Sequence, residues 1–191
     1  MILQNGIELY HASYTIVENI DLSRCFSGKD FGKGFYLTTS YEQAKRFVKT
    51  SLAKAIKNGI KEVQENAGYI SMFKFNGFEG KKISYFEFSG PDAQWLHCVA
   101  GHRKVGMFQK ELEEWKKYDI LAGKITNDST NQVLTAYMNG FYGEIGSDDA
   151  DETAIKFLLP NNLADQICFR TQKAVKCLSF EGCKTIKISG R

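Results

Sequence analysis

An α+β fold with an antiparallel sheet is what this sequence of 191 residues predicts. Two observations lead there. Short apolar runs that read as strands alternate with stretches of helical periodicity, and several of the strand-like runs are separated by turns too short for a parallel crossover. The composition agrees with a folded chain of one domain: 43% hydrophobic and 25% charged residues with 2 prolines leave little room for a disordered linker.

Taken in order, Ile7–Tyr14 ("IELYHASY") reads as an opening strand whose end carries His11, and a loop-like stretch runs on to Asp30. Ser40 then opens a helix. Gln43 follows at capping-box spacing, and Ala44, Phe47, Val48, Leu52, Ala55 and Ile56 form an apolar stripe that stops at Asn58-Gly59. Tyr69–Phe75 and Lys82–Phe88 are strand-like and separated by a glycine-bearing turn, which predicts a hairpin. "PDAQWLHCVAGHR" predicts a short helix with Trp95, Leu96 and Val99 inward, and a polar helix spans Gln109–Lys117. "YDILAGKI" is a strand, "STNQVLTAYMNG" a helix closed by Gly140, and Gln166–Thr171 a strand followed by a helical turn. The end, "CLSFEGCKTIKI", predicts a closing pair of strands.

Charge and cysteines narrow the function classes. A net charge of +3 spread over 25 basic and 22 acidic residues does not resemble a dedicated nucleic-acid binder. Five cysteines at irregular spacing predict reduced thiols and a cytoplasmic protein, not a disulfide framework. The start lacks a signal-peptide pattern, and no run approaches the roughly 20 apolar residues of a membrane span, so no membrane partner is expected.

The stretch "DFGKGFYLTTSYEQA" concentrates the chemistry. Gly32 and Gly34 allow close backbone approach, a helix start lies just beyond, and Tyr36 sits between them. A tyrosine on a strand is ordinarily packing. With His11 on an earlier strand, flanked by small Ala12 and Ser13, and a polar residue opening a third strand, the three would instead border a cleft. Other patterns fall away. "DFG" lacks the remaining kinase motifs. Cys98 and His102 have helical i, i+4 spacing, but zinc needs four ligands, so a buried thiol is the better reading and no metal is expected. Arg103, Asn127 and Asp128 either line a site or cap helices.

Together, "LYHAS", "DFGKGFYLTTSYEQA" and "QICFRTQKAVKCL" resemble the three motifs of the ADP-ribosyltransferase superfamily, in its diphtheria-toxin-like branch with His, Tyr and a third polar residue. "PDAQWLHCVAGHRK" and "YDILAGKITNDSTNQVLTAY" extend the similarity over most of the chain, toward one uncharacterised microbial family of that superfamily. The resemblance implies a split antiparallel sheet core with flanking helices, occupying residues 1–191 as one ADP-ribosyltransferase-like domain. It also implies a mono-ADP-ribosyltransferase that takes NAD as substrate, cleaves the nicotinamide-ribose bond and passes ADP-ribose to a protein, nucleic acid or small-molecule acceptor. Family analogy alone adds a toxin or defence role.

By the same resemblance the catalytic residues are His11, Tyr36 and Gln166. His11 would bond a ribose hydroxyl and Tyr36 would stack on the nicotinamide ring. His11, Ala12, Ser13, Gly34, Phe35, Tyr36 and Gln43 would bind NAD. Three positions depart from the branch. Gln166 stands where Glu is common, Ala12 where glycine follows the histidine, and Gln43 where some relatives have serine. A neutral amide orients a hydroxyl but cannot stabilise positive charge as a carboxylate does, and Glu144, Glu152 and Asp165 are the acids available to compensate. The rival expectation is a catalytically weak or inactive module that binds NAD or ADP-ribose. A nucleotide-handling enzyme acting on RNA ends is a third, and would need basic residues converging on the cleft.

Overall fold

The computed structural model describes residues 1–61, 63–125, 128–158 and 164–188. The strands are β1 (Glu8–Ser13), β2 (Phe35–Leu37), β3 (Ala67–Phe75), β4 (Tyr85–Glu87), β5 (Ile120–Lys124), β6 (Asp165–Phe169) and β7 (Leu178–Lys187). The helices are α1 (Tyr41–Lys57), α2 (Ala93–Arg103), α3 (Gln109–Lys116), α4 (Asp128–Met138), α5 (Asp148–Phe157) and the short α6 (Gln172–Val175). The mixed α+β class holds.

The strands form two sheets. One has the order β1-β3-β7 and is antiparallel throughout; the other, β2-β6-β5-β4, is antiparallel except that β4 runs parallel to β5. An isolated bridge joins the sheets, with Tyr10 and Thr38 exchanging backbone bonds of 2.9 and 3.0 Å. Strand alternation then assigns the faces. Leu9 and Phe73 of the first sheet meet Phe35, Ile120, Ile167 and Phe169 of the second in a buried layer between them. The opposite face of the first sheet, with Ala12 and Ile70, is covered by Ala44 and Val48 of α1. The far face of the second sheet, with Leu121 and Cys168, is covered by α2 to α5 through Trp95, Leu96, Val99, Leu134 and Ala154. Trp95, Leu96 and Val99 are fully buried, as the sequence predicts.

Three sequence expectations need correction. Tyr69–Phe75 and Lys82–Phe88 are not a hairpin: β3 pairs with β1 and β7, while β4 pairs with β5 in the other sheet. The glycine-bearing link between them crosses between sheets, a destination that local turn chemistry does not encode. The closing segment is one strand, β7, and its apparent break is a bulge where Met72 faces Gly182 and Phe73 faces Phe180. Phe47 and Ile56 lie off the buried stripe of α1, 44% and 46% exposed, and the helix seats itself on Ala44, Val48, Leu52 and Ala55.

The sequence reading places no element between Gly140 and Gln166, where the structure has α5. Ser147 caps it, accepting from the Ala150 N–H at 3.3 Å, and it carries the buried Asp151. Asp151 accepts from the Tyr137 hydroxyl of α4 at 2.5 Å and lies 2.7 Å from Nε2 of His97 on α2, tying three helices together. Among the described residues, no helix is long and apolar enough to cross a membrane.

Candidate functional site

A cavity of about 300 Å³ opens where β1 and β2 meet, and it gathers His11, Ala12, Tyr36, Gln43 and Gln166 with Lys29, Asp30, Phe47, Lys54 and Arg103. His11 reaches it from β1 because it follows Leu9 by two residues and so shares the face turned to the second sheet. Its ring packs on Phe35, with centroids 4.3 Å apart. Tyr36 and Gln166 arrive from the second sheet on one common face: Tyr36 lies opposite Cys168 across the β2–β6 ladder, and Gln166 is two residues back from Cys168.

The imidazole is fixed by Nδ1, which lies 2.8 Å from the Tyr36 carbonyl oxygen. A carbonyl only accepts, so Nδ1 carries the proton and Nε2 remains an acceptor. Burial pushes the His11 pKa down to about 4, with the nearby Lys29 charge acting in the same direction. The ring is therefore neutral at pH 7 and presents a lone pair that can accept from a hydroxyl or N–H donor.

Tyr36 closes its own loop. Its hydroxyl accepts from the Phe31 N–H at 2.9 Å and donates to the Gly32 carbonyl at 2.8 Å. Burial raises the phenol's pKa far above its ordinary value. The phenol is thus a structural clamp that keeps its proton at neutral pH, and what Tyr36 can offer a ligand is its ring face. Lys29 stands over that ring, its Nζ 5.1 Å from the centroid.

The two glycines answer to the protein. Gly32 has φ +76° at the turn, and a Cβ on it would meet the His102 ring at 2.5 Å. A Cβ on Gly34 would lie 2.4 Å from Cys168 Sγ and 2.8 Å from the Phe169 carbonyl oxygen. Gly34 therefore lets β2 close onto β6. Phe35 is buried beneath His11, and Ser13 is buried with its Oγ 3.4 Å from the Thr15 N–H. Ser13, Gly34 and Phe35 do not line the cavity, whereas Ala12 and Gln43 do.

The capping box is half built. Ser40 Oγ accepts from the Gln43 N–H at 3.3 Å, but the Gln43 side chain turns to Thr38, whose Oγ1 donates to Gln43 Oε1 at 3.2 Å. Thr38 Oγ1 also takes the Ser40 N–H at 3.1 Å, replacing the reciprocal bond a capping box would make. Gln43 is thereby held at the cavity wall.

The acids anticipated from sequence are elsewhere. Glu144 is exposed, Glu152 is exposed and bonded to Lys156, and Asp165 pairs with Lys124 at 2.9 Å. The carboxylate that does enter the cavity is Asp30, only six residues before Tyr36 and 5% exposed. Local sequence carries little signal for it, because its partners Arg103 and Gln166 lie far along the chain. Arg103 donates to it from Nε at 2.8 Å and Nη2 at 2.5 Å, and also to Asn131 Oδ1 at 2.6 Å. Asn127 lies outside the described residues, as does the side chain of Asp128.

The Cys98 thiol lies 3.6 Å from His102 Nδ1. His102 Nδ1 lies 2.8 Å from the Cys98 carbonyl oxygen, and burial raises the Cys98 pKa well above that of an ordinary thiol. Among the described residues no three His, Cys, Asp or Glu side chains gather around a common point. A second cavity, of about 470 Å³, is lined by Phe86, His97, Glu111 and Trp115 and contains none of the predicted site residues.

Fold and cavity define an α+β protein with a cleft at the seam of two sheets, furnished by a neutral histidine, a tyrosine ring and a buried amide. The chain belongs to the family described as Protein of unknown function (DUF3990), whose model matches residues 7–180. No curated protein and no solved structure matches it significantly.

Proposed function

We propose that the protein is an NAD-dependent mono-ADP-ribosyltransferase acting in the cytoplasm, with the split-sheet architecture of that superfamily. The observation that carries the reading is the convergence of His11, Tyr36 and Gln166 on one cavity from three strands distant in sequence. Two sheets joined by the Tyr10–Thr38 bridge are what a split sheet would look like. All five cysteines are free thiols, in keeping with a reducing compartment.

The cavity has room for the nicotinamide-ribose end of the dinucleotide, with the adenylate half lying beyond its mouth. His11 Nε2 would accept from a ribose hydroxyl and Tyr36 would stack on the pyridinium, an attraction of roughly 0.5–2 kcal/mol. Cleavage breaks the bond between the anomeric carbon and the pyridinium nitrogen, and the electron pair leaves with neutral nicotinamide. The anomeric carbon, cationic in the transition state, then bonds the acceptor, which releases its proton. Gln166 would orient the ribose during that step. Transfer of a single unit follows from the neutral third residue, since chain elongation asks the site to activate a hydroxyl as nucleophile.

A binding-only module is the second reading, favoured by one observation: the third side chain is a neutral amide whose nitrogen is committed to protein partners. Incubation with NAD labelled in its adenylate half separates the two. Nicotinamide release and acid-insoluble label that both vanish in His11→Ala and Tyr36→Ala support the transferase. Saturable binding without release supports the module, and absence of binding sinks both.

A further inference from the structure

Along the wall of the cleft runs a chain of bonds that the proposed reaction does not itself require. Asp30 Oδ1 takes both Arg103 donors, and Asp30 Oδ2 accepts from Gln166 Nε2 at 2.6 Å. The same Nε2 donates to the Lys124 carbonyl oxygen at 3.2 Å. A primary amide has two N–H donors and one carbonyl acceptor. Both groups facing Nε2 are acceptors, one a carboxylate oxygen and one a backbone carbonyl, so turning the amide over would set Oε1 against two acceptors at once. With both donors engaged, Oε1 is what remains for the cavity that Gln166 lines.

We infer that Asp30, held by Arg103, is a positioning residue that locks the Gln166 amide with its carbonyl oxygen toward the cleft. The third polar position then works as an acceptor for a sugar hydroxyl and not as a donor. Identifying that hydroxyl as one of the nicotinamide ribose rests on the transferase reading. The lock also accounts for the amide itself. A glutamate at position 166 would lay its carboxylate against Asp30, two like charges at hydrogen-bond distance in a buried setting. Glutamine here is the partner an aspartate at position 30 demands, and the negative charge of the site is carried by Asp30 beside Gln166 in the cleft wall.

The test is a charge-exchange cycle: Asp30→Asn, Gln166→Glu and the double variant, each in the full chain. In the ligand-free protein, Gln166→Glu lowers the melting temperature. The double variant recovers part of that loss, because the amide at position 30 now donates to the carboxylate at 166 while the Lys124 carbonyl still lacks its donor. The side-chain Nε2–H resonances of Gln166, slow to exchange with water in the wild type, exchange fast in Asp30→Asn. With ligand, Asp30→Asn weakens ADP-ribose binding about tenfold, yet leaves binding of the analogue lacking the distal ribose 2′-hydroxyl within twofold. Additive stability losses, unchanged amide exchange, or equal weakening of both ligands each overturn the proposal. If the wild type binds no NAD or ADP-ribose the transferase reading falls alone, since the stability cycle and the exchange measurement need no ligand.

Discussion

The imidazole of His11 is bonded to the backbone of Tyr36 and not to its phenol: Nδ1 lies 2.8 Å from the Tyr36 carbonyl oxygen. The two side chains thereby face the cleft independently, one with a lone pair and one with a ring face. A strand-to-strand bond of this kind also makes the histidine part of the seam, so its protonation bears on folding.

Stability should therefore fall on acidification between the two pKa values of His11. Burial holds the folded value at about 4, below the ordinary value of 6.5. Between those values the unfolded chain binds the proton that the folded chain refuses, so the stabilising contribution is complete above about pH 6.5 and is lost as the pH falls toward 4. The shift corresponds to about 3 kcal/mol at most. Urea denaturation at pH 4 and pH 7 should show that extra loss in the wild type and not in His11→Gln. Equal losses in both would show that the histidine titrates as an ordinary one.

Tyr36→Phe separates the clamp from the ring. The substitution removes the partner of the Phe31 N–H and of the Gly32 carbonyl, and Phe31 is fully buried. Leaving a buried donor unpaired costs about 1–3 kcal/mol. The ring face survives, so NAD affinity should fall by a few-fold at most, against tenfold or more for Tyr36→Leu. Calorimetry and thermal unfolding of the two variants read both effects. Identical affinities in the two would mean that the ring does not touch the ligand.

Gly34→Ala should be costly for a reason unrelated to ligand. Its Cβ would press on Cys168 Sγ at 2.4 Å and on the Phe169 carbonyl oxygen at 2.8 Å. Overpacking of this sort typically costs about 1–3 kcal/mol, and here one obstacle is backbone. Adding Cys168→Ala removes the sulfur alone, so the double variant should regain part of the loss. Full recovery would show that the sheet itself yields.

What the sequence disclosed and what it hid follow from the range of the interactions involved. The start of α1 was legible because Ser40 and the Gln43 N–H are neighbours on the chain, and its end because Asn58-Gly59 is a local stop. The convergence of His11, Tyr36 and Gln166 was legible through resemblance, not periodicity. The hairpin expected of Tyr69–Phe75 failed because nothing local records that β7, more than 100 residues onward, takes the place beside β3. The burial of Asp30 is hidden for the same cause: its partners Arg103 and Gln166 are 73 and 136 residues away.

Lys29 gives the sharpest test of where the ligand ring lies. Its Nζ stands 5.1 Å from the Tyr36 centroid, and Lys29 lines the same cavity. A pyridinium stacked on that ring competes with the ammonium for one electron-rich surface and is repelled by its charge. On the transferase reading NAD would bind only as Lys29 swings away, whereas ADP-ribose, which lacks the pyridinium, would leave it in place. The exposed cation-ring contact is worth about 0.5–1 kcal/mol, or roughly two- to fivefold in affinity. Lys29→Met should accordingly raise NAD affinity by that factor relative to ADP-ribose, measured by calorimetry at one ionic strength. Equal loss for both ligands would instead assign Lys29 to the pyrophosphate, and the ring face of Tyr36 would then already be open in the free protein.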